Sequence, residues 1–218
     1  MDFNHYIDYT NLNPVATMRD IEKLCEEAIE NGFASVCVHP YYVPLASSLL
    51  KGTNVEVSTV VGFPFGMNTT RVKALEAIEA VESGATEIDM VINLGALKNK
   101  DYEYIKEEIE EIRDSIDGKT LKVIIETGYL DKKEIQTLTK ICNETFVHFI
   151  KTCTGFGPRG VTLEDIDIIN EVKNDVLEIK ASGGIRDFTF ACNLIDKGVT
   201  RLGVSDITNL KGDKHDNL

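Results

Sequence analysis

The most constraining feature of the sequence is a repeated alternation of short apolar segments with longer amphipathic ones. The short segments are rich in β-branched residues and span 6–9, 35–38, 55–61, 87–92, 121–126, 146–152, 176–181 and 201–203. Most of them are apolar throughout, which is typical of parallel strands that are covered on both faces. The first and last segments are less apolar than the others, and they complete the set of eight.

The stretches between these segments carry helix signals. Ile105, Ile109 and Ile112 fall on one helical stripe. Three stretches begin with a capping residue followed three positions later by an acid, namely Thr17 with Asp20, Asp131 with Glu134 and Thr162 with Asp165. Glycines at 32, 84 and 198 are predicted to end helices and to lead directly into strands. The pattern therefore predicts repeated βα units.

The length and the repeat together favour one fold class. The 218 residues suit a single-domain α/β protein with a (β/α)8 TIM barrel. We expect residues 1–218 to form that one domain, with 211–218 as a flexible C-terminal tail. The competitor is an open doubly wound sheet, which normally has a glycine-rich loop after its first strand. The segment 11–14, Asn-Leu-Asn-Pro, is not such a loop.

The charge composition restricts the partners. The chain has 23 basic and 36 acidic residues and a net charge of -13. Such a surface repels nucleic acids and anionic membranes, so we expect neither as a partner. No apolar run approaches the length of a membrane span, and residues 1–5 lack the pattern of a secretory signal. The five cysteines show no C-x-x-C spacing, which favours reduced thiols and a cytoplasmic location.

Two lysines lie in apolar strand segments that are neighbours along the chain. Phe149-Ile150 precedes Lys151, and Glu178-Ile179 precedes Lys180. Burial and a nearby like charge both lower the pKa of an ammonium group, so this pair predicts a neutral amine that condenses with a carbonyl to form a Schiff base. Asp89, inside another apolar run, is a candidate proton relay. The alternative for Asp89, and for Asp8 at the end of the first strand, is a structural acid that pairs with a lysine.

Glycine-rich turns after the late strands predict a phosphate site. Gly183, Gly184 and Arg186 follow a strand and open a helix, so they offer backbone N–H groups and a cation. Gly155 and the segment from Gly203 to Ser205 add further amides at the same end of the barrel. The alternative is that these glycines only shape βα turns.

The sequence gives weaker support for a thiol nucleophile or a metal site. Cys37 and His39 can share one face of a strand, so a thiolate nucleophile stays open beside the simpler role of Cys37 as a small buried side chain. No spacing of histidines or carboxylates typical of a metal site occurs in the sequence. We therefore expect no metal and no cofactor.

Six blocks of sequence, in order, resemble the deoxyribose-phosphate aldolase family. The blocks are 35–38 (SVCV), 59–64 (TVVGFP), 85–93 (ATEIDMVIN), 121–127 (LKVIIET), 150–157 (IKTCTGFG) and 180–186 (KASGGIR). The resemblance covers nearly the whole chain, and the order of the blocks makes it specific.

This resemblance implies a class I aldolase that reversibly cleaves 2-deoxy-D-ribose 5-phosphate to D-glyceraldehyde 3-phosphate and acetaldehyde. Lys151 matches the Schiff-base lysine, Lys180 the second lysine and Asp89 the acid that relays protons. A further set matches the positions that bind the substrate and its phosphate: Thr154, Gly155, Gly183, Gly184, Arg186, Gly203 and Ser205. Asp8 and Cys37 are expected to support the site. The protonated imine serves as the electron sink, so no cofactor is implied, and members are often homodimers or homotetramers.

The chain departs from the family pattern near the phosphate segment. Asp206 stands where a second serine is usual, and the tail 211–218 lacks a terminal tyrosine. A carboxylate at that position repels a phosphate dianion unless it points away. Two alternatives therefore stay open: a phosphosugar-binding barrel with weak or lost aldolase activity, and an imine-forming barrel aldolase with another donor.

Overall fold

Eight parallel strands close into a barrel. A computed structural model describes residues 3–210, and its strands are paired in chain order, with the first also paired to the last. The strands are β1 (Ile7–Asn11), β2 (Ser35–Val38), β3 (Glu56–Val61), β4 (Glu87–Val91), β5 (Thr120–Ile124), β6 (Phe149–Lys151), β7 (Glu178–Ser182) and β8 (Arg201–Val204). The closure confirms the (β/α)8 barrel and excludes the open sheet. All eight predicted strand segments are present.

Helices follow the strands and cover the outside of the barrel. They are α1 (Met18–Asn31), α2 (Val43–Leu50), α3 (Thr70–Glu82), α4 (Leu94–Lys98), α5 (Tyr102–Ser115), α6 (Lys132–Glu144), α7 (Leu163–Asn170) and α8 (Phe188–Asp196). Short 3-10 turns occur at Phe3–Tyr6, Pro40–Tyr42 and Thr127–Tyr129. No helix within residues 3–210 is both long and apolar enough to cross a membrane.

The predicted helix starts are confirmed in detail. Capping boxes form at Thr17, Asp131 and Thr162, where the side chain of each cap and the acid three residues later exchange hydrogen bonds with backbone N–H groups. These bonds satisfy N–H groups that have no partner inside the helix. The boxes fix the points at which α1, α6 and α7 leave the barrel mouth. The predicted tail, 211–218, lies outside the described residues, and the extent of the single domain over 1–218 stays a prediction.

The main apolar core lies between the barrel and its helices. Each helix buries one stripe against the sheet, as Ile105, Ile109 and Ile112 do on α5, where all three are fully buried. A barrel of this class is usually filled by layers of branched apolar side chains. In this chain much of the barrel interior is instead filled by charged side chains, and this difference defines the candidate site.

A fully buried ion pair ties two helices to the end of β4. Lys73 of α3 lies 2.8 Å from a carboxylate oxygen of Glu108 on α5. Its ammonium also donates to the Val91 carbonyl oxygen at 2.8 Å, and Glu108 accepts a hydrogen bond from the Asn93 N–H at 3.1 Å. The pair thus holds the end of β4, the strand that carries Asp89.

We expect Lys73→Met to lower the free energy of unfolding by about 3–5 kcal/mol, because Glu108 is then left buried without its cation. Urea denaturation measures the loss. The double variant Lys73→Met/Glu108→Leu should recover most of it, since no buried charge remains. Lys132→Met, which removes an exposed pair with Glu171, is the control and should change stability by less than about 1 kcal/mol. Similar losses in the single and double variants would contradict this role.

Candidate active site

The barrel interior holds a connected set of charged side chains, which we call the interior network. Inward-facing positions on six strands supply its members, because alternate residues of a strand point to the same face. The network consists of Asp8, Glu87, Asp89, Lys122, Lys151, Lys180 and Arg201, linked by ion pairs. Such a set is unusual in a core, since unpaired charges are costly to bury.

Asp89 is the centre of the network. Its Oδ2 lies 2.8 Å from Nζ of Lys151 and 2.7 Å from Nζ of Lys180. Its Oδ1 accepts a hydrogen bond from Lys122 Nζ at 2.8 Å and another from the Ser58 hydroxyl at 3.2 Å. The two lysines that the sequence predicted to act together therefore meet at one carboxylate oxygen.

Lower in the barrel, further ion pairs hold Lys180 and Lys122 in place. Lys180 Nζ lies 2.5 Å from Asp8 Oδ2, and Lys122 Nζ lies 2.6 Å from Glu87 Oε2. Arg201 contacts both acids, with its guanidinium paired to Asp8 and 2.9 Å from Glu87. Arg201 thus closes the base of the network.

The electrostatics correct one prediction from the sequence. Burial alone lowers the pKa of Lys180, but the adjacent Asp8 and Asp89 outweigh it and raise the pKa above its ordinary value. The sequence predicted one neutral amine in this pair, and the lowering of the pKa that was expected from burial and a like charge does not occur at Lys180. The pKa of Asp89 moves the other way: burial raises it, yet Lys122, Lys151 and Lys180 hold it well below its usual range. Asp89 is accordingly a carboxylate, and Lys180 an ammonium.

A cavity of about 860 Å³ opens above the network at the carboxyl ends of the strands. Lys151 lines this cavity with 3% of its surface exposed, whereas the other six network residues do not line it. The predicted substrate and phosphate residues all line the same cavity: Thr154, Gly155, Gly183, Gly184, Arg186, Gly203 and Ser205. The structure thus brings these predicted residues together with Lys151.

The glycines at the cavity serve two different structural needs. Gly183 and Gly184 have φ of +87° and +79°, a backbone conformation that other residues adopt at a cost. Gly203 leaves room for Lys180, because a Cβ atom at that position would lie 3.3 Å from Lys180 Cε and 2.9 Å from Ser182 Cβ. Gly203 is therefore needed for packing inside the barrel as well as at the cavity wall.

Asp206 also lines the cavity. Its carboxylate accepts a hydrogen bond from the Thr208 N–H at 2.8 Å, and the hydrogen bonds from Thr208 lower its pKa. The negative charge noted in the sequence is thus present at the mouth and is held toward Thr208.

The alternative nucleophile is not assembled. Cys37 is fully buried inside the barrel, and burial raises the pKa of its thiol. His39 Nε2 lies 3.1 Å from the Leu12 carbonyl oxygen. The thiol–histidine pair considered from the sequence does not fit this geometry, which leaves Cys37 as a buried neighbour of the network. Within residues 3–210, no group of three or more His, Cys, Asp or Glu side chains is arranged to hold a metal ion.

Sequence reasoning missed Lys122, Glu87 and Arg201. A signal for two of them was present, because Lys122 lies within an apolar run as Lys151 does, and Glu87 is two residues before Asp89 on the same strand. Arg201 starts a short strand, where a charged residue is ordinarily solvated, so only the closed barrel shows its contact with Asp8.

Comparisons with known proteins agree with this geometry. A family model described as "DeoC/LacD family aldolase" matches residues 3–199. A Thermotoga petrophila protein named deoxyribose-phosphate aldolase is 53% identical over 204 residues, which cover 94% of this chain and 82% of that protein.

Solved structures of aldolases are also similar to this chain. A structure described as "QR15, an Aldolase" has a TM-score of 0.90 and 44% identity, covering 94% of this chain and 92% of its own. A tetrameric deoxyribose phosphate aldolase from Aeropyrum pernix has a TM-score of 0.89 and 29% identity, covering 95% of this chain and 88% of its own.

The interior network makes a prediction about acid stability. Burial raises the pKa of Asp8, but Lys180, Lys122 and Arg201 outweigh it and lower the pKa. Ionised Asp8 therefore stabilises the fold fully above its unfolded pKa of about 3.9, and the contribution is lost as pH falls below that value. We expect Asp8→Asn to lower the free energy of unfolding by about 3 kcal/mol at pH 7 and by less at pH 3.

Urea denaturation of both proteins at the two pH values measures this difference. Asp114→Asn is the control, since Asp114 is 68% exposed in its pair with Arg113, and it should have almost no effect at either pH. A gap between wild type and Asp8→Asn that widens on acidification would contradict the role given to Asp8.

Proposed function

The chain belongs to the DeoC/LacD family of aldolases, and we propose that it cleaves 2-deoxy-D-ribose 5-phosphate reversibly through a Schiff base on Lys151. The products are D-glyceraldehyde 3-phosphate and acetaldehyde. The observation that carries the proposal is the position of Lys151. Its amine is 2.8 Å from Asp89, and its side chain lines the cavity at the mouth of the barrel, while Asp89 and Lys180 are fully buried.

The charge balance of the network suits a lysine nucleophile. The network contains four basic and three acidic side chains. With every member ionised, one positive charge is in excess, and removal of one proton makes the buried network neutral. An amine must be uncharged to attack a carbonyl. Lys151 is the basic member in contact with the cavity, so it is the amine that a substrate carbonyl can reach.

The reaction follows from this arrangement. The Lys151 amine adds to the C1 aldehyde of the open-chain sugar, and loss of water gives a protonated imine. The hydroxyl on C3 loses its proton, the bond between C2 and C3 breaks, and its electrons move into the imine to form an enamine. D-Glyceraldehyde 3-phosphate leaves. Protonation of the enamine and hydrolysis of the imine then release acetaldehyde and restore the amine.

Asp89 and Lys180 are the groups we assign to the proton transfers. Their atoms lie 2.7 Å apart, and Asp89 also reaches Lys151, so the three form a continuous path for protons. Lys180 carries a proton, because its two carboxylate partners favour the ammonium form. Asp8 and Arg201 act further away by holding Lys180 in position.

The phosphate is assigned to the cavity wall formed by the ends of β7 and β8. Gly183 and Gly184 supply backbone N–H groups in an unusual local conformation, Arg186 supplies a cation, and Ser205 supplies a hydroxyl. The N-terminus of α8, capped by Asp187, follows directly. Barrels of this class commonly bind phosphate at their last two strands. Gly155 is assigned to the same phosphate site, and Thr154, beside Lys151, is assigned to the sugar.

The proposal extends to assembly and location. A related structure, that from Aeropyrum pernix, is described as tetrameric, and a homodimer or homotetramer is the assembly we propose for this chain. All five cysteines are free thiols, which is consistent with the reducing cytoplasm.

Borohydride reduction in the presence of acetaldehyde tests the nucleophile. The reagent should fix a two-carbon adduct on Lys151, which peptide mapping by mass spectrometry locates. Lys151→Met should abolish both the adduct and turnover, because no other amine can form the productive imine. Lys23 lines the same cavity, so Lys23→Met is the matched control and should retain the adduct. An adduct-free Lys151 in a folded, active wild-type sample would sink the proposal.

Replacement of the second lysine tests the proton path. We expect Lys180→Leu to lower kcat by about 100-fold or more, the usual effect of removing a group that transfers protons. Steady-state kinetics of deoxyribose 5-phosphate cleavage measures it, with circular dichroism to confirm folding. Lys98→Leu, which removes an exposed pair with Glu134, is the control and should keep kcat within about twofold. A Lys180→Leu enzyme with nearly normal kcat would remove Lys180 from the mechanism.

A further inference from the structure

Glu126 is a buried acid at the mouth of the barrel that the proposed mechanism does not use. It follows β5 and is 1% exposed. Its backbone is left-handed, with φ 55° and ψ 64°, which is uncommon for a residue other than glycine. Hydrogen bonds on both sides hold it there: the Ile125 N–H donates to the Lys151 carbonyl oxygen at 3.0 Å, and the Thr127 N–H donates to the Thr152 carbonyl oxygen at 2.9 Å. The fold therefore imposes a strained conformation on Glu126.

The side chain of Glu126 is directed at a residue of the cavity wall. Its Oε2 accepts hydrogen bonds from both the N–H and the hydroxyl of Thr154, the former at 3.1 Å. Its Oε1 is buried and has no hydrogen-bond partner among residues 3–210. Gly157 makes room for it, since a Cβ atom there would lie 2.6 Å from Oε1. Among the described residues Glu126 forms no ion pair, so its contacts with Thr154 are its main polar interaction.

These contacts determine what the Thr154 hydroxyl can offer to a ligand. A hydroxyl has one hydrogen to donate and two lone pairs to accept. The hydrogen is directed to Glu126, and one lone pair accepts from the Phe156 N–H at 3.0 Å. One lone pair remains. Toward a molecule in the cavity, Thr154 can therefore act only as a hydrogen-bond acceptor.

We propose that Glu126 is a positioning residue that makes Thr154 a selective acceptor for a hydroxyl group on the aldehyde substrate. Thr154 lines the cavity three residues after Lys151, which places it beside the carbon chain held at that lysine. In one kind of aldehyde, the carbon next to the carbonyl carbon carries a hydroxyl group, which can donate a hydrogen bond to Thr154. An aldehyde with a methyl group at that place cannot donate, so the last lone pair of the Thr154 hydroxyl has no partner. Glu126 thus sets substrate selectivity without touching the substrate. This inference rests on the proposed aldolase function.

A pair of acceptor aldehydes of equal size tests the inference. With acetaldehyde as donor, we compare glycolaldehyde with propanal, in which a methyl group replaces the hydroxyl, and take the ratio of their kcat/KM values. Glu126→Ala should lower this ratio about tenfold, as expected when one oriented hydrogen bond is lost. Glu126→Gln should keep the ratio within about threefold, because its carbonyl oxygen can accept from both Thr154 groups. Where Glu126→Ala does not fold, Glu126→Asp carries the test, since its shorter side chain withdraws the carboxylate from Thr154.

Coupling and a matched control separate positioning from a general structural effect. Thr154→Val should lower the ratio as Glu126→Ala does. The double variant should lower it no further, because both substitutions remove the same interaction with the substrate hydroxyl. Glu76→Ala removes a different, half-buried loop contact, in which the carboxylate accepts from the Gly62 N–H at 2.8 Å, and should leave the ratio within about twofold. If Glu126 had only a structural role, its replacement would lower kcat/KM equally for both aldehydes and leave the ratio unchanged.

Borohydride trapping distinguishes the two possible failures. If wild type gives no acetaldehyde adduct on Lys151, the proposed function fails. If wild type and Glu126→Ala both give the adduct but have the same aldehyde ratio, the aldolase function stands and the inference is overturned. An intact adduct with a reduced ratio that Glu126→Gln restores supports the positioning role.

Discussion

The carboxylate of Asp89 is the interaction on which the interior of this barrel depends. Three lysine side chains converge on it, each at 2.7–2.8 Å. Without it, three cations would face one another in a space that excludes water, where like charges interact strongly. With it, and with Asp8 and Glu87 below, the barrel holds charges where most relatives of its architecture class hold apolar side chains. The charged part of the site is therefore built into the core, whereas much of the cavity wall above it comes from the loops that follow the strands.

The position of Lys151 divides the barrel into two functional parts. Below it, buried acids and bases hold protons in fixed places, away from solvent. Above it, the cavity is lined by the glycine turns, Arg186 and Thr154, to which we assign the ligand contacts. Lys151 belongs to both parts, because its amine contacts Asp89 while its side chain borders the cavity. In the proposed mechanism, Lys151 at this boundary meets the carbonyl and the proton path at once, as Schiff-base chemistry requires.

Much of this arrangement was predictable because its signals are local. The capping box at Asp131 involves residues three positions apart, and the strand carrying Asp89 is recognisable from its own apolar residues. Lys151 and Lys180 were identified because a lysine in an apolar strand is rare. The (β/α)8 order brings the carboxyl ends of all strands to one face, so their shared location followed once the fold class was assigned.

The succession of βα units, the helix caps and the unusual residues on the strands can be read from the sequence, because each depends on neighbours along the chain. The charge states and the contacts between side chains depend on the folded barrel. Lys180 is an ammonium and not a neutral amine because Asp8, 172 positions away in the chain, lies 2.5 Å from it. Arg201 and Glu126 acquire their partners only when the barrel closes and the loops pack. Distances between residues far apart in the chain set these electrostatic energies, and no local pattern encodes them.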